Sequence, residues 1–515
     1  MKSSLKILLS YCFLAVIFSI NSWGQIQLPD LFSDHMVLQR EMPIPVWGTA
    51  PADALVEVTL NNHKITVKSD YFGDWKATLP AMKAGGAYEL IITSEIETVR
   101  IKDIYIGEVW ICSGQSNMEW ALHQTAEGER ELPNANFPLI RFFHLKKKHD
   151  TYKTPYSKEQ LEAFSEGQFF HKSKWELCSP ETAAAFSGVG YFFGKELHHS
   201  LNIPIGLIQA AVGGSPCQSW ISKEALASHP QLKHLVDGDQ PWISSDIIHP
   251  WLAERAKQNW ANWKKTETAP LPGHPFAPNY LFDSAIKPLA PFAVRGAIWY
   301  QGESNATHPN SYPAMMEMLL MSWRILWKQG DFPFYFVQLP KIGNRNLWAE
   351  FREQQQLCLS NPNTEMIVTV DQGHPTDVHP REKEVVGKRL ADLALAKTYH
   401  QNIAAASPML LSSNWEKAEH KIVLRFKNTF DGLKIKKGEV PKGFYLQGYL
   451  KQGSLEAIIA PENIIVANNE IIITYPVDFL PVKVKYAWAS YPENNLMNSA
   501  GLPLAPFKIV LEGLN

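Results

Sequence analysis

The chain has 515 residues, with 45% hydrophobic, 11% aromatic and 19% charged residues, a composition that excludes global disorder and points to more than one domain at roughly 100–200 residues each. With 49 basic and 51 acidic residues the formal charge is −2, so no basic excess exists to bind a phosphate backbone, and nucleic acid is excluded as an expected partner. The 17 Trp, 17 Tyr and 25 Phe residues suit a large core and also sugar-binding faces.

Residues 1–24 read as a secretory signal peptide. Lys2 and Lys6 precede the apolar run Ile7 to Ile20, and Ser22-Trp23-Gly24 places small residues at −3 and −1 before Gln25. The run is too short to cross about 30 Å of hydrocarbon, so the expected product is secreted, periplasmic or extracellular, with no membrane partner once the leader is cleaved. Cys12 leaves with the leader; Cys112, Cys178, Cys217 and Cys358 are widely spaced and read as buried thiols rather than a metal cluster.

Three textures follow. Residues 25–103 carry short alternating segments ("ALVEVTL", "HKITVKS", "AYELIITS") separated by Asn61-Asn62 and Gly85-Gly86, which predicts an N-terminal β-sandwich. Between 104 and 401, apolar strands alternate with helical stretches such as 310–328 and 381–397, the latter with Pro380 at its first position. That pattern predicts an α/β domain, a parallel sheet covered by helices on both faces. Residues 238–280, rich in Pro, His and Trp, read as an insertion near the site. Residues 402–515 return to β texture ("KIVLRF", "GFYLQGYL", "EIIITYP") and predict a C-terminal β domain.

Ligands of open α/β sheets bind beyond the carboxyl ends of the strands, and four segments there carry polar residues. In "CSGQSNMEW" (112–120), Ser116 follows a glycine turn at the start of a helical pattern, where it reads equally as an exposed nucleophile or a helix cap. In "AAVGGSPCQSW" (210–220), Gly214 can offer its N–H to an oxyanion, or simply make a tight turn. In "WYQGESN" (299–305), Gln301, Glu303 and Asn305 cluster, and an amide there can add an oxyanion donor. In "DQGHPTDVHPREK" (371–383), His379 beside Asp377 can take a serine proton, with His374 a rival base and Asp371 a rival acid.

Together these blocks resemble the SGNH hydrolase superfamily and, within it, the sialate O-acetylesterase family. "LPDLFSDHMVLQR", "GEVWICSGQSNMEW", "GGSPCQSW", "WYQGESNA", "DVHPREKEVVGKRLA" and "NLMNSAGLPLAPF" carry the resemblance over most of the chain. It implies a flavodoxin-like fold and a serine esterase that removes O-acetyl groups from carbohydrates, without metal or other cofactor. Ser116 matches the nucleophile, His379 the base and Gly214 the glycine block. Two departures stand out. "QGE" replaces the superfamily's Gly-x-Asn-Asp, leaving the amide donor between Gln301, favoured here, and Asn305. Asp-x-His replaces Asp-x-x-His, so a Ser–His dyad stays open beside an Asp377 triad.

The expected substrate is an O-acetylated sialic acid. Acetylated plant polysaccharide such as xylan is the rival, and a carbohydrate-binding protein with an inactive core is the reading from another class. A sialate carboxylate would gain from a cation; Arg352 in "AEFREQQ" is the candidate, or a helix-surface charge. Trp120 and Trp220 are candidates for a sugar platform or for the core.

Overall fold

The computed structural model describes residues 25–237, 241–263, 271–435, 439–450 and 455–511; the expected signal peptide lies outside them. The central element is a seven-stranded mixed sheet. Its strands, in chain order, are β1 (Thr98–Gly114), β2 (Phe137–His144), β3 (Trp175–Cys178), β4 (Ile205–Ala211), β5 (Gly296–Tyr300), β6 (Phe334–Val337) and β7 (Thr364–Ile367). Their spatial order is β7-β6-β5-β1-β4-β2-β3. Every pairing is parallel except β2 with β3 at the edge.

The sheet's two faces are covered by different helices. We label the helices α1 (Ser116–Glu119), α2 (Gly188–Leu201), α3 (Tyr312–Trp327), α4 (Trp348–Leu357) and α5 (Glu384–Lys397). Trp110 and Cys112 of β1 point to one face, where Trp110 packs edge-on against Phe193 of α2 at 5.2 Å and the Cys112 sulfur nestles under Gly190. Trp299 of β5 points to the other, where Trp323 of α3 meets it at 6.2 Å. Complete burial of β4 and β5 explains their unbroken apolar runs, since both faces are covered. The four cysteines are buried and unpaired.

Strand β1 serves two sheets. Its first half alternates in burial and pairs antiparallel with Gly85–Thr93, while the half beyond Gly107 is wholly buried at the centre of the parallel sheet. The transition expected near residue 103 therefore falls inside one strand. Glu108 anchors this crossing: fully buried, it accepts from the guanidinium groups of Arg40 at 2.5 Å and Arg295 at 2.7 Å. Around the first half of β1, Leu55–Leu60, His63–Lys68 and Gly85–Thr93 form an antiparallel run, with Ile44–Thr49 and Asp74–Leu79 paired separately. After α5, two four-stranded sheets follow, and Phe426 of one meets Phe507 of the other at 5.9 Å.

One helix begins later than its sequence suggests. Pro380 suits a first helical position, but α5 starts at Glu384, with Lys383 as its cap residue. The intervening segment is held elsewhere: the Arg381 carbonyl accepts the Ala126 N–H at 3.0 Å, the Arg381 side chain donates to the Gln124 carbonyl, and the Lys383 side chain turns into the core.

Candidate active site

The site lies at the carboxyl ends of β1, β4, β5 and β7. At the end of β1, Gly114 takes φ +138°, and a Cβ there would stand 2.2 Å from the Tyr300 carbonyl oxygen, so only glycine permits this approach to β5. Gln115 follows in extended geometry and caps α1, its carbonyl accepting the N–H groups of Met118 and Glu119 at 2.9 Å. Ser116 is the first residue of α1, not its cap. Met118 is buried beneath the turn, and the Gln115 side-chain oxygen accepts from the Gln301 amide and the Ser304 N–H.

Across the cleft, the Nε2 of His379 stands 2.9 Å from Ser116 Oγ. The imidazole stacks on the Trp120 indole, with centroids 4.9 Å apart and planes 21° from parallel. Asp377 accepts the backbone N–H of His379 at 2.9 Å, but its carboxylate lies 3.5 Å from Nδ1 and is half exposed. That separation is beyond an ordinary N–H···O bond. The rivals are placed elsewhere: His374 is exposed and accepts the Thr376 and Asp377 N–H groups, and Asp371 is held by both guanidinium nitrogens of Arg389, at 2.8 and 2.6 Å. Burial holds the His379 pKa below its ordinary value, the Lys383 ammonium adds to this, and Asp377 opposes it. The depression thus comes from burial and a side-chain charge, and α5 starts only at Glu384.

The glycine turn after β4 sits beside Ser116. A Cβ on Gly213 would be 3.6 Å from the Ser116 Cβ, and the Gly213 N–H donates to Glu119 at 2.7 Å. Gly214 has φ +77° and presses against Trp251 and Phe276, which leave 2.8 and 3.0 Å to a Cβ. Its carbonyl accepts the Ser304 hydroxyl at 2.9 Å. Its N–H has no acceptor among the described residues, nor has that of Ser116, which as first helical residue has no intrahelical partner.

Four expected site residues are not in the cleft. Gln301 is fully buried, and its amide nitrogen donates to Asn305 (2.7 Å), Gln115 (3.1 Å) and the Ser215 carbonyl, so no N–H is left for an oxyanion. Asn305 is equally committed, accepting from the Cys217 N–H and donating to Gln218. Trp220 is a core residue, edge-on to Trp299 and donating to Ser215, and offers no sugar platform. Arg352 is buried and donates to the carbonyls of Leu339, Pro340, Ala489 and Ser490; burial pushes its pKa down to about 9, and it cannot reach a substrate. It fastens α4 to the loop that follows the C-terminal strand Phe479–Tyr486. Glu303 does face the cleft, accepting from Asn117.

The cleft encloses about 1130 Å³. Besides Ser116 and His379 its walls include Trp120, Trp251, Arg345 and Trp348. Trp251 belongs to the helix Pro250–Asn259 of the expected insertion, which thus reaches the site. Sequence reasoning passed over Arg345, and also Lys383, although it lies four residues past His379. Among the described residues no group of three or more His, Cys, Asp or Glu side chains could hold a metal ion, and no helix is long and apolar enough to cross a membrane.

Comparison with known proteins gives the chain's family. The family model described as "Carbohydrate esterase, sialic acid-specific acetylesterase" matches residues 106–235 and 261–396. The sialate O-acetylesterase of Rattus norvegicus is 28% identical over 421 residues, covering 73% of this chain and 74% of that protein. The human sialate O-acetylesterase is 28% identical over 417 residues, covering 73% and 72%. The crystal structure of a carbohydrate acetylesterase from Xanthomonas citri superposes with a TM-score of 0.76 at 30% identity, covering 94% of this chain and 99% of that one. The chain is therefore an esterase, a member of the sialic acid-specific acetylesterase family of carbohydrate esterases.

Proposed function

We propose that the protein is a secreted serine esterase that removes O-acetyl groups from sialic acids through an acetyl-Ser116 intermediate. The observation that carries this reading is the 2.9 Å contact of Ser116 Oγ with His379 Nε2 in a cleft where two backbone N–H groups are unused. Ser116 attacks the acetyl carbonyl as His379 accepts its proton. The N–H groups of Ser116 and Gly214 receive the oxyanion. In the role first given to Gln301, we place Gln115, which lines the cleft and whose amide nitrogen donates to no described residue. His379 protonates the departing sugar hydroxyl, then activates the water that releases acetate. The sheets on either side of the α/β core are read as ancillary β-sandwich domains, and the apolar leader after Lys2 and Lys6 supports export.

His379 must be neutral to act as base, so kcat/KM should rise with pH through one ionisation. Because burial and Lys383 depress that group, the midpoint should lie below the ordinary histidine value of about 6.5. A pH–rate profile with its midpoint above that value would contradict the assignment.

For the sialate carboxylate we assign Arg345, exposed on the cleft wall with no acidic partner among the described residues, in place of the buried Arg352. Acetate release from O-acetyl sialic acid, an acetylated neutral monosaccharide and acetylated xylan tests both claims. Arg345→Ala should lower kcat/KM on the sialate about tenfold, the loss of one charge-assisted contact, and leave the neutral sugar unchanged. Equal losses on both sugars, or faster turnover of xylan than of sialate, would overturn the substrate assignment.

A further inference from the structure

Behind the catalytic pair lies a buried polar cluster that no step of the reaction uses. Asn117, Glu303 and Lys383 come from three separate strand-end segments and meet on the inner side of the cleft. Asn117 is completely buried, and its bonds engage both ends of the amide. Its oxygen accepts from the Lys383 ammonium at 2.5 Å, and its nitrogen donates to Glu303 Oε1 at 2.5 Å and to the Val378 carbonyl at 3.0 Å. One side chain adjoining Ser116 thus holds the backbone residue adjoining His379.

Lys383 is 1% exposed. Its ammonium sits 5.3 Å from the Tyr300 ring centroid and 5.9 Å from that of Trp120, the same ring on which His379 stacks. An ammonium in this position is costly to bury, and two aromatic faces, an amide oxygen and one carboxyl offset only part of that cost. The Glu303 Oε2 is buried without a hydrogen-bond partner among the described residues. Well-packed apolar groups of the same volume would be at least as stable, so a purely structural role does not account for this cluster.

Resting on the reading of His379 as the base, we propose that Lys383 is a positioning residue for it: with Asn117 and Glu303 it forms a hub that clamps the His379 loop to the Ser116 helix and fixes a positive charge behind the imidazole. The charged groups facing His379 are Asp377 on its own loop and Lys383 at the head of α5. Those facing Lys383 are Glu303, Glu382, Asp377 and Glu127. Glu119, on the Ser116 helix, is engaged by Lys147 at 2.7 Å and by the Gly213 N–H. Burial pushes the Lys383 pKa down to about 7, so the ammonium is still charged over the acidic range in which His379 takes up its proton. There the two positive charges repel, and the base stays neutral to lower pH than burial alone would achieve.

The test is the acidic limb of kcat/KM on a chromogenic acetate ester, measured in the full-length protein. Lys383→Gln keeps a donor for Asn117 and removes the charge. It should move the limb to higher pH by about one unit, so that activity falls about tenfold more at acid pH than on the alkaline plateau. Glu303→Gln, which keeps an acceptor for Asn117 but removes the counter-charge that keeps Lys383 protonated, should move the limb in the same direction and supplies the test if Lys383→Gln does not fold. Lys383→Arg should leave the midpoint in place. An unchanged midpoint in either charge-removing variant, with the whole profile merely lowered, would overturn the proposal and leave a structural role. Loss of the limb from the wild-type profile would instead count against His379 as the base.

Discussion

Ser116→Ala should abolish ester hydrolysis, with a fall in kcat on the order of 10⁶, the cost of removing the nucleophile from a cooperating serine–histidine unit. The fold should survive. The turn is held by the Gln115 carbonyl, the Gln115 side chain and buried Met118, while among the described residues the Ser116 hydroxyl bonds only to His379. Steady-state hydrolysis of a chromogenic acetate ester, with a melting temperature for each protein, separates chemistry from stability. A folded variant retaining a tenth of the wild-type rate would remove Ser116 from the reaction.

His379→Ala should be nearly as damaging, because a base and its nucleophile act as one unit and either loss removes most of the rate. His374→Ala is the control: its ring is exposed and accepts N–H groups of its own loop, so it should leave the rate within a few-fold of wild type. Asp377→Asn should fall between. Its carboxylate is half exposed and 3.5 Å from Nδ1, and an asparagine oxygen can still accept the His379 N–H. The expected loss is therefore well short of the roughly 10⁴ seen where a buried acid bonds the imidazole tightly. A loss of that full size would mean that Asp377 closes onto the ring during turnover. Comparable losses in His374→Ala and His379→Ala would contradict the choice of base.

What could be read from the residues was what depends on strand ends. The apolar stretches "EVWICS", "PIGLIQAAV", "VRGAIWYQG" and "EMIVTVDQG" carry β1, β4, β5 and β7 in whole or in part, and the residues just beyond those strands converge because parallel strands deliver their carboxyl ends to one edge. Ser116, Gly214 and His379 meet there for that reason. Which of several neighbouring polar side chains faces the cleft was not legible. Gln301, Glu303 and Asn305 lie within five residues, yet only Glu303 reaches the cleft, since the other two satisfy buried groups of the glycine turn. Arg352 shows the same limit: helical spacing could place it on a face, but not reveal that four carbonyls from two segments converge on it. At Pro380 a local preference lost to tertiary bonds, because the segment carrying Lys383 is held against residues 124–126 before the helix can begin. The dual membership of β1 was visible in retrospect just past Gly107, where alternation gives way to the unbroken apolar run Val109–Cys112.

Passage of the acetyl group through Ser116 is the defining step of the proposed reaction. Acid-quenching the enzyme during turnover of an acetate ester, followed by proteolysis and mass analysis of the peptides, addresses it directly. The peptide containing Ser116 should carry one added acetyl group, appearing with substrate, vanishing when substrate is exhausted and absent from Ser116→Ala. Acetylation of a different residue at the same rate, or full turnover with no acetylated peptide under conditions where a burst of the leaving group is observed, would contradict it.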